Sequence, residues 1–399
     1  MSTLTSARGR IAAIAGAIVL VLAAGVWVAL TRGPAQPAVA AAGPRASASA
    51  QPSVSPLQLV SATPASGATG VSGVPDITIT FSAPVAADSP LPTITPSLAG
   101  SWQGAGTDTL HFVASAAFGQ STHVTVSMPA GAQGVRSAQG GLLASPAQIS
   151  FETGTYQAAR IPQLLALLGY LPLTWEASPG AIAPALSDSL GQIGAAYSPP
   201  AGTFSWQPGY PSELQNFWGN GAATGLIVKG AIMAFQSDHN LSMDGVAGAQ
   251  VWAALLSAVA SGQHNQNGYT YAIASEANPE TLTIWHNGQQ VLHLLANTGI
   301  QAAPTTIGTA PVYLRYRNQI MKGTNPDGTK YADPVQFVAY FRSGEAVHYF
   351  PRGTYGWPQS LGCVELNLSN AAQAWPYLTY GSLVTVTAGA LTPPGSPSA

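Results

Sequence analysis

Few stretches of this chain can hold one backbone conformation for long, because 43 glycines and 32 prolines are spread through its 399 residues. Glycine gives up the most freedom on ordering and proline removes a backbone donor, so regular elements must be short and joined by turns. Between these interruptions the apolar residues alternate with period two. Residues 76–81, 109–113 and 123–127 read as half-buried strands, and 148–151 as a closing one. Residues 57–153 are therefore predicted to form a β-sandwich. The pattern returns over residues 268–388, with strands at 269–274, 281–285, 290–295 and 382–387 and Asn287-Gly288 as a type I′ hairpin turn. Over residues 155–262 the apolar spacing is helical, as in 161–168 before Gly169. The predicted architecture is multidomain and mainly β, with one small α domain.

The N-terminus bears on where such domains sit. Residues 11–30 carry no charge and match the length of a helix that crosses ~30 Å of hydrocarbon, and Arg8 and Arg10 precede them. Positive charge before the apolar run keeps the tip in the cytoplasm. Residues 1–30 are thus expected to be a cytoplasmic tip and single-pass transmembrane anchor in the cell membrane, with the rest of the chain outside it. Ala38-Val39-Ala40 supports the competing expectation, a cleavage site that would release the chain to the wall. Residues 31–56 read as a flexible Ala/Pro/Ser linker and 389–399 as a disordered tail. Only 7% of residues are charged, against roughly 25% in ordinary soluble chains. A net charge of −2 with no basic block excludes nucleic acid as a partner.

The chain has one cysteine, Cys363, so no internal disulfide forms. A thiol attacks as thiolate, and its free pKa near 8.5 calls for a base. His348 lies upstream across a Pro- and Gly-rich segment that can fold back and bring imidazole to sulfur. The expectation is a thiol ionised by His348, which then serves as proton acceptor and donor. Gly362 removes bulk beside the thiol, so the N–H groups of Gly362 and Cys363 are expected to face a developing oxyanion. Residues 369–375 read as a short helix capped by Ser369. Residues 313–340 read as a lid over the cleft, turning at Asn325-Pro326-Asp327-Gly328. His111, His123, His286 and His293 lie in strand patterns without ligand spacing and read as structural; no metal or cofactor is implied.

His348 followed by Ser360-Leu361-Gly362-Cys363-Val364-Glu365 resembles the signature of the L,D-transpeptidase catalytic domain of YkuD type. That signature is a His, a spacer, then Ser-His-Gly-Cys with a hydrophobic and a polar residue after it. Asn297-Thr298-Gly299 and Thr305-Thr306-Ile307-Gly308 resemble the family's upstream strand and turn. The resemblance spans residues 268–388. It implies a β-rich catalytic domain with Cys363 as nucleophile, His348 as proton donor and acceptor, Gly362 in the oxyanion hole and Ser360 as support. Tyr331, Leu361 and Glu365 are candidates for substrate contact. Two positions depart from the family pattern: Leu361 stands where it has its second His, and Glu365 where Arg or Asn is usual. A nearby Glu365 raises the thiol pKa, orients His348, or meets an incoming amine.

Two upstream segments carry resemblances of their own. Residues 62–70 and 77–85 resemble bacterial Ig-like domains. Leu168-Gly169-Tyr170, Ala231 to Phe235-Gln236, Asp244-Gly245 to Gly248, and Trp252 to Leu255 resemble the three-helix peptidoglycan-binding domain, here with a long insertion after the first helix. The implied partners are peptidoglycan stem peptides, and glycan strands through the helical domain. The implied activity is acyl transfer from a tetrapeptide stem with loss of D-Ala, cross-linking stems. Water as acceptor would make the chain an L,D-carboxypeptidase, and an inert C-terminal domain would leave a non-catalytic wall-binding protein.

Overall fold

A computed structural model describes residues 54–219 and 225–389. The expected anchor at 1–30, most of the linker at 31–56 and the tail beyond 389 lie outside the described residues. Among those described, no helix is long and apolar enough to cross a membrane.

Strands β1 (Leu59–Thr63), β2 (Ala68–Val71), β3 (Ile77–Phe81), β4 (Thr93–Thr95), β5 (Gly100–Gln103), β6 (Thr109–Ala114), β7 (His123–Met128) and β8 (Ala147–Thr153) form two four-stranded sheets. Their orders are β1-β3-β6-β5 and β2-β8-β7-β4. Period-two alternation sends Ile77, Ile79, Phe81, Leu110, Val124 and Val126 into one core between the sheets. The strands absent from the sequence reading, β1, β2, β4 and β5, contain no buried residue and so show no apolar alternation.

The next segment is α1 (Arg160–Leu167), β9 (Leu173–Ala177), α2 (Ser189–Tyr197), β10 (Gly202–Trp206), α3 (Leu226–Asp238) and α4 (Ala249–Ala260). The long insertion is therefore not a loop: it folds as an antiparallel β9–β10 pair with a helix between. Arg160 is fully buried and ties α1 to α2, donating to Gln163 Oε1 and Gln192 Oε1, each at 2.7 Å. Burial without a carboxylate partner lowers its pKa to about 10.

The C-terminal segment comprises β11 (Thr270–Ser275), β12 (Thr281–His286), β13 (Gln289–Leu295), β14 (Gly308–Pro311), β15 (Leu314–Thr324), β16 (Lys330–Arg342), β17 (Glu345–Tyr349), β18 (Val364–Leu366), α5 (Leu368–Ala374) and β19 (Leu383–Thr387). A five-stranded sheet, β13-β12-β11-β19-β14, faces a four-stranded one, β15-β16-β17-β18. Ala272, Ala274, Leu282 and Ile284 of the first pack on Ala339, Val347, Val364 and Leu366 of the second, with Ala371 and Ala374 of α5 closing the core. Asn287 and Gly288 both take the positive φ that a type I′ turn needs, at 49° and 76°. The α5 cap is Asn367, whose side chain accepts from the Asn370 amide at 2.8 Å, not Ser369.

Every residue of β11 is buried, because its other face meets the helical segment. Tyr271, Ile273, Trp285 and Leu383 share a core with Leu164, Ile227, Ala231 and Leu255. The approach is backbone-close: a Cβ on Gly230 of α3 would lie 2.5 Å from the carbonyl oxygen of Gly381, itself at φ +81°. Gly→Ala inside a helix ordinarily gains about 1 kcal/mol. Gly230→Ala is expected to reverse that sign and cost about 1–3 kcal/mol through overpacking, read as a lower urea midpoint.

Candidate active site

Strands β17 and β18 run parallel, with Val347 opposite Val364 and His348 opposite Glu365. Alternation then divides the residues: Val347, Val364 and Leu366 enter the core, while His348, Cys363 and Glu365 open on a cavity of about 390 Å³. The β15–β16 hairpin forms its far wall, with Met321, Tyr331 and Tyr340 lining it. Its turn is closed by Gly328 N–H donating to Asn325 O at 2.9 Å, where the lid turn was predicted. A register shift in β16 between Gln336 and Ala339, with Phe337 at φ +57°, turns Val338 to the side of Val335, Ala346 and Cys363 while Phe337 and Ala339 stay in the core. Such bulges re-aim side chains beside sites.

The connection from Phe350 to Gly362 is tied down at both ends. Tyr355 Oη donates to Phe350 O at 2.6 Å and accepts from the Arg352 amide at 3.2 Å. The amides of Gln359 and Ser360 both donate to Thr298 O at 2.9 Å. Thr298 is held in turn by the buried Glu280 carboxylate, which accepts its N–H at 2.5 Å and its hydroxyl at 2.8 Å. Burial raises the Glu280 carboxyl above its ordinary range, and the two Thr298 bonds pull it back.

Ser360 is fully buried; its hydroxyl donates to Cys363 O at 2.6 Å and accepts from Gly362 N–H at 3.1 Å. Ser360 thereby ties together the turn that carries Cys363. The Gly362 oxyanion assignment requires correction in the resting structure, because that N–H already points at Ser360. Gly362 supplies instead a backbone at φ +105° that only glycine adopts readily.

His348 is 3% exposed, and its Nδ1 lies 2.9 Å from Tyr349 O. A carbonyl only accepts, so Nδ1 carries the hydrogen and Nε2 keeps the lone pair a base needs. Burial lowers the His348 pKa, partly offset by the Tyr349 bond and Glu365. Cys363 packs beside Val335, Val338 and Ala346, and its Sγ points at Gly344 O at 3.6 Å. This apolar setting pushes the thiol up to about 12, with Glu365 and Glu345 as smaller causes. Burial thus disfavours the charged form of each group, and so opposes the resting ion pair that was expected.

Leu361, Tyr331 and Glu365, the candidates for substrate contact, all line the same cavity. Burial raises the Tyr331 hydroxyl, and Cys363 is near enough to add to it. Glu365 does not stand free. Arg352 Nε and Nη2 grip its two oxygens at 2.7 and 2.8 Å, and Nη2 also donates to Gln359 O at 2.8 Å. The sequence reading missed Arg352, Glu280 and Thr298. Arg352 sits in the Pro/Gly segment between His348 and Cys363, where its charge was the one available signal.

Comparison with known proteins follows this division of the chain. Residues 269–386 match the family model of the L,D-transpeptidase catalytic domain, residues 53–153 that of the bacterial Ig-like domain, and residues 221–255 that of a peptidoglycan binding domain. Among solved structures, the chain is similar to an L,D-transpeptidase from Mycobacterium smegmatis at 14% identity, covering 84% of this chain and 100% of that one with a TM-score of 0.28. It is similar to L,D-transpeptidase 3 from Mycobacterium tuberculosis in complex with a faropenem-derived adduct, at 15% identity, 83% and 98% coverage and a TM-score of 0.28. The catalytic domain of the E. faecium L,D-transpeptidase aligns at 25% identity over 29% of this chain and 95% of that one, again with a TM-score of 0.28. A search of curated proteins returned no match.

Proposed function

We propose that this chain is a cell-wall acyltransferase, an L,D-transpeptidase acting through Cys363. The observation that carries the reading is the shared cavity: the lone thiol and an imidazole whose Nδ1 is taken up by Tyr349 O open on one space. The catalytic-domain match over residues 269–386 supports the reaction class.

Donor binding displaces water and brings the stem-peptide carbonyl to Sγ. His348 Nε2 takes the thiol proton as sulfur attacks, and the oxyanion is met by the backbone N–H groups of Leu361 and Cys363, that of Gly362 being held by Ser360. The C–N bond breaks, the leaving D-Ala amine takes the proton from His348, and a thioester remains. An acceptor amine then gives a proton to His348 and attacks the thioester; sulfur leaves and regains a proton. A new amide joins two stems. Water in place of the amine would yield the carboxypeptidase. The reading also includes a membrane anchor, supported by Arg8 and Arg10 before the apolar run at 11–30, and wall contact through the helical segment, supported by its match over residues 221–255.

Disaccharide-tetrapeptide incubated with the protein is expected to give cross-linked dimer with release of D-Ala, seen by mass spectrometry. Hydrolysed tripeptide alone would replace the transferase with the carboxypeptidase. Unchanged substrate, with no Cys363 adduct on long exposure to a carbapenem, would leave only a wall-binding protein.

A further inference from the structure

The proposed chemistry uses the thiol and the imidazole but gives no task to the guanidinium on the cavity wall. Arg352 is fixed before any ligand arrives: two bonds to Glu365 and one to Gln359 O hold Nε and Nη2, and Phe350 lies 4.6 Å from its centre. Among the described residues Nη1 donates to no partner. The side chain is 29% exposed, and Arg352 is one of the residues that line the cavity. The two N–H groups of Nη1 are therefore left without a partner, on a residue that lines the same cavity as Cys363. Glu365 compensates the charge, so the contact offered is directional rather than a long-range pull. Lys322 and Asp333, the other charged groups on the wall, oppose each other in sign.

We propose, on the basis of the acyl-transfer reading, that Arg352 determines specificity by binding the free α-carboxylate of the donor's terminal D-amino acid. That carboxylate belongs to the leaving group and lies one residue beyond the carbonyl that must meet Sγ. A cavity of about 390 Å³ holds both ends of that span. Glu365 acts through Arg352 as a positioning residue. Donors that end in an amide, or that run on past this residue, lose the contact.

The test measures binding to the full chain carrying Cys363→Ser, with a tetrapeptide stem and its terminal carboxamide as probes. The carboxamide is expected to bind about 10- to 100-fold more weakly, the range for a lost hydrogen bond to a charged group. R352Q/E365Q in the same background removes the guanidinium without stranding a buried charge, and is expected to bind both peptides alike and weakly. R352K keeps the charge without the planar fork and should retain part of the preference. Equal binding of the two peptides by the Cys363→Ser protein overturns the proposal, as does an unchanged carboxylate preference in R352Q/E365Q. Acyl transfer is read separately with Cys363 present. Carboxylate-dependent binding without transfer would remove the transpeptidase reading and leave Arg352 its role. Transfer without carboxylate preference would do the reverse.

Discussion

Alanine at Cys363 is expected to abolish acyl transfer, and alanine at His348 to lower it by about 10²–10⁴-fold, the usual contribution of a positioned base. The two residues differ in how they respond to pH. Burial places the thiol at about 12 and holds His348 below its ordinary value, so both shifts favour the uncharged forms. A thiol loses its proton only as pH approaches its pKa. Alkylation of Cys363 by iodoacetamide in the absence of donor should therefore climb about tenfold per pH unit from neutrality toward pH 11, and change little in His348→Ala. Acyl transfer must behave differently, because it needs His348 neutral. It is lost as pH falls through the His348 pKa, which lies below the ~6.5 of a free imidazole. An alkylation rate that already levels off near pH 7, and drops in His348→Ala, would show a preformed ion pair and defeat this account.

That burial opposes ionisation of the thiol was not legible in the sequence, and the reason is physical. The residues that desolvate it, Val335, Val338 and Ala346, come from two other strands, and a bulge at Phe337 decides which side of β16 meets the sulfur. That His348 and Cys363 line one cavity was legible, because they flank a single connection and neighbouring parallel strands bring its ends together. Strands with an apolar face, such as β3, β6 and β7, declared themselves by alternation. Strand β11 hid its relation to the helices, since a strand buried on both faces shows no polar side to mark its neighbours. The Gly362 amide was read as free because nothing local reveals that the Ser360 hydroxyl folds back on it. Arg352 escaped notice for a similar reason: its partner lies past the loop, and only the closed loop brings them together.

The Arg352–Glu365 pair should show that asymmetry of setting in its energetics. Arg352→Ala is expected to destabilise the protein by about 3–5 kcal/mol, because it leaves a carboxylate only 5% exposed without its counter-charge. Glu365→Ala breaks the same two bonds but leaves a guanidinium 29% exposed, able to turn toward water, and should cost about 1–2 kcal/mol. R352Q/E365Q removes both charges and should lie within about 1 kcal/mol of the parent, since a buried pair gains little over neutral groups of similar shape. Urea unfolding of the parent, the two alanine variants and Arg352→Ala/Glu365→Ala forms the cycle that measures the coupling, with R352Q/E365Q read beside it. Equal losses in the two alanine variants would mean that Glu365 finds another partner when Arg352 is gone. The site has a stake in the result, because Glu365 stands opposite His348 in the parallel register and exchanges both backbone bonds with Asn297. A carboxylate forced to seek water from that position would pull β18 away from the strand that holds His348, so loss of stability and loss of transfer should rise together in Arg352→Ala and separate in R352Q/E365Q.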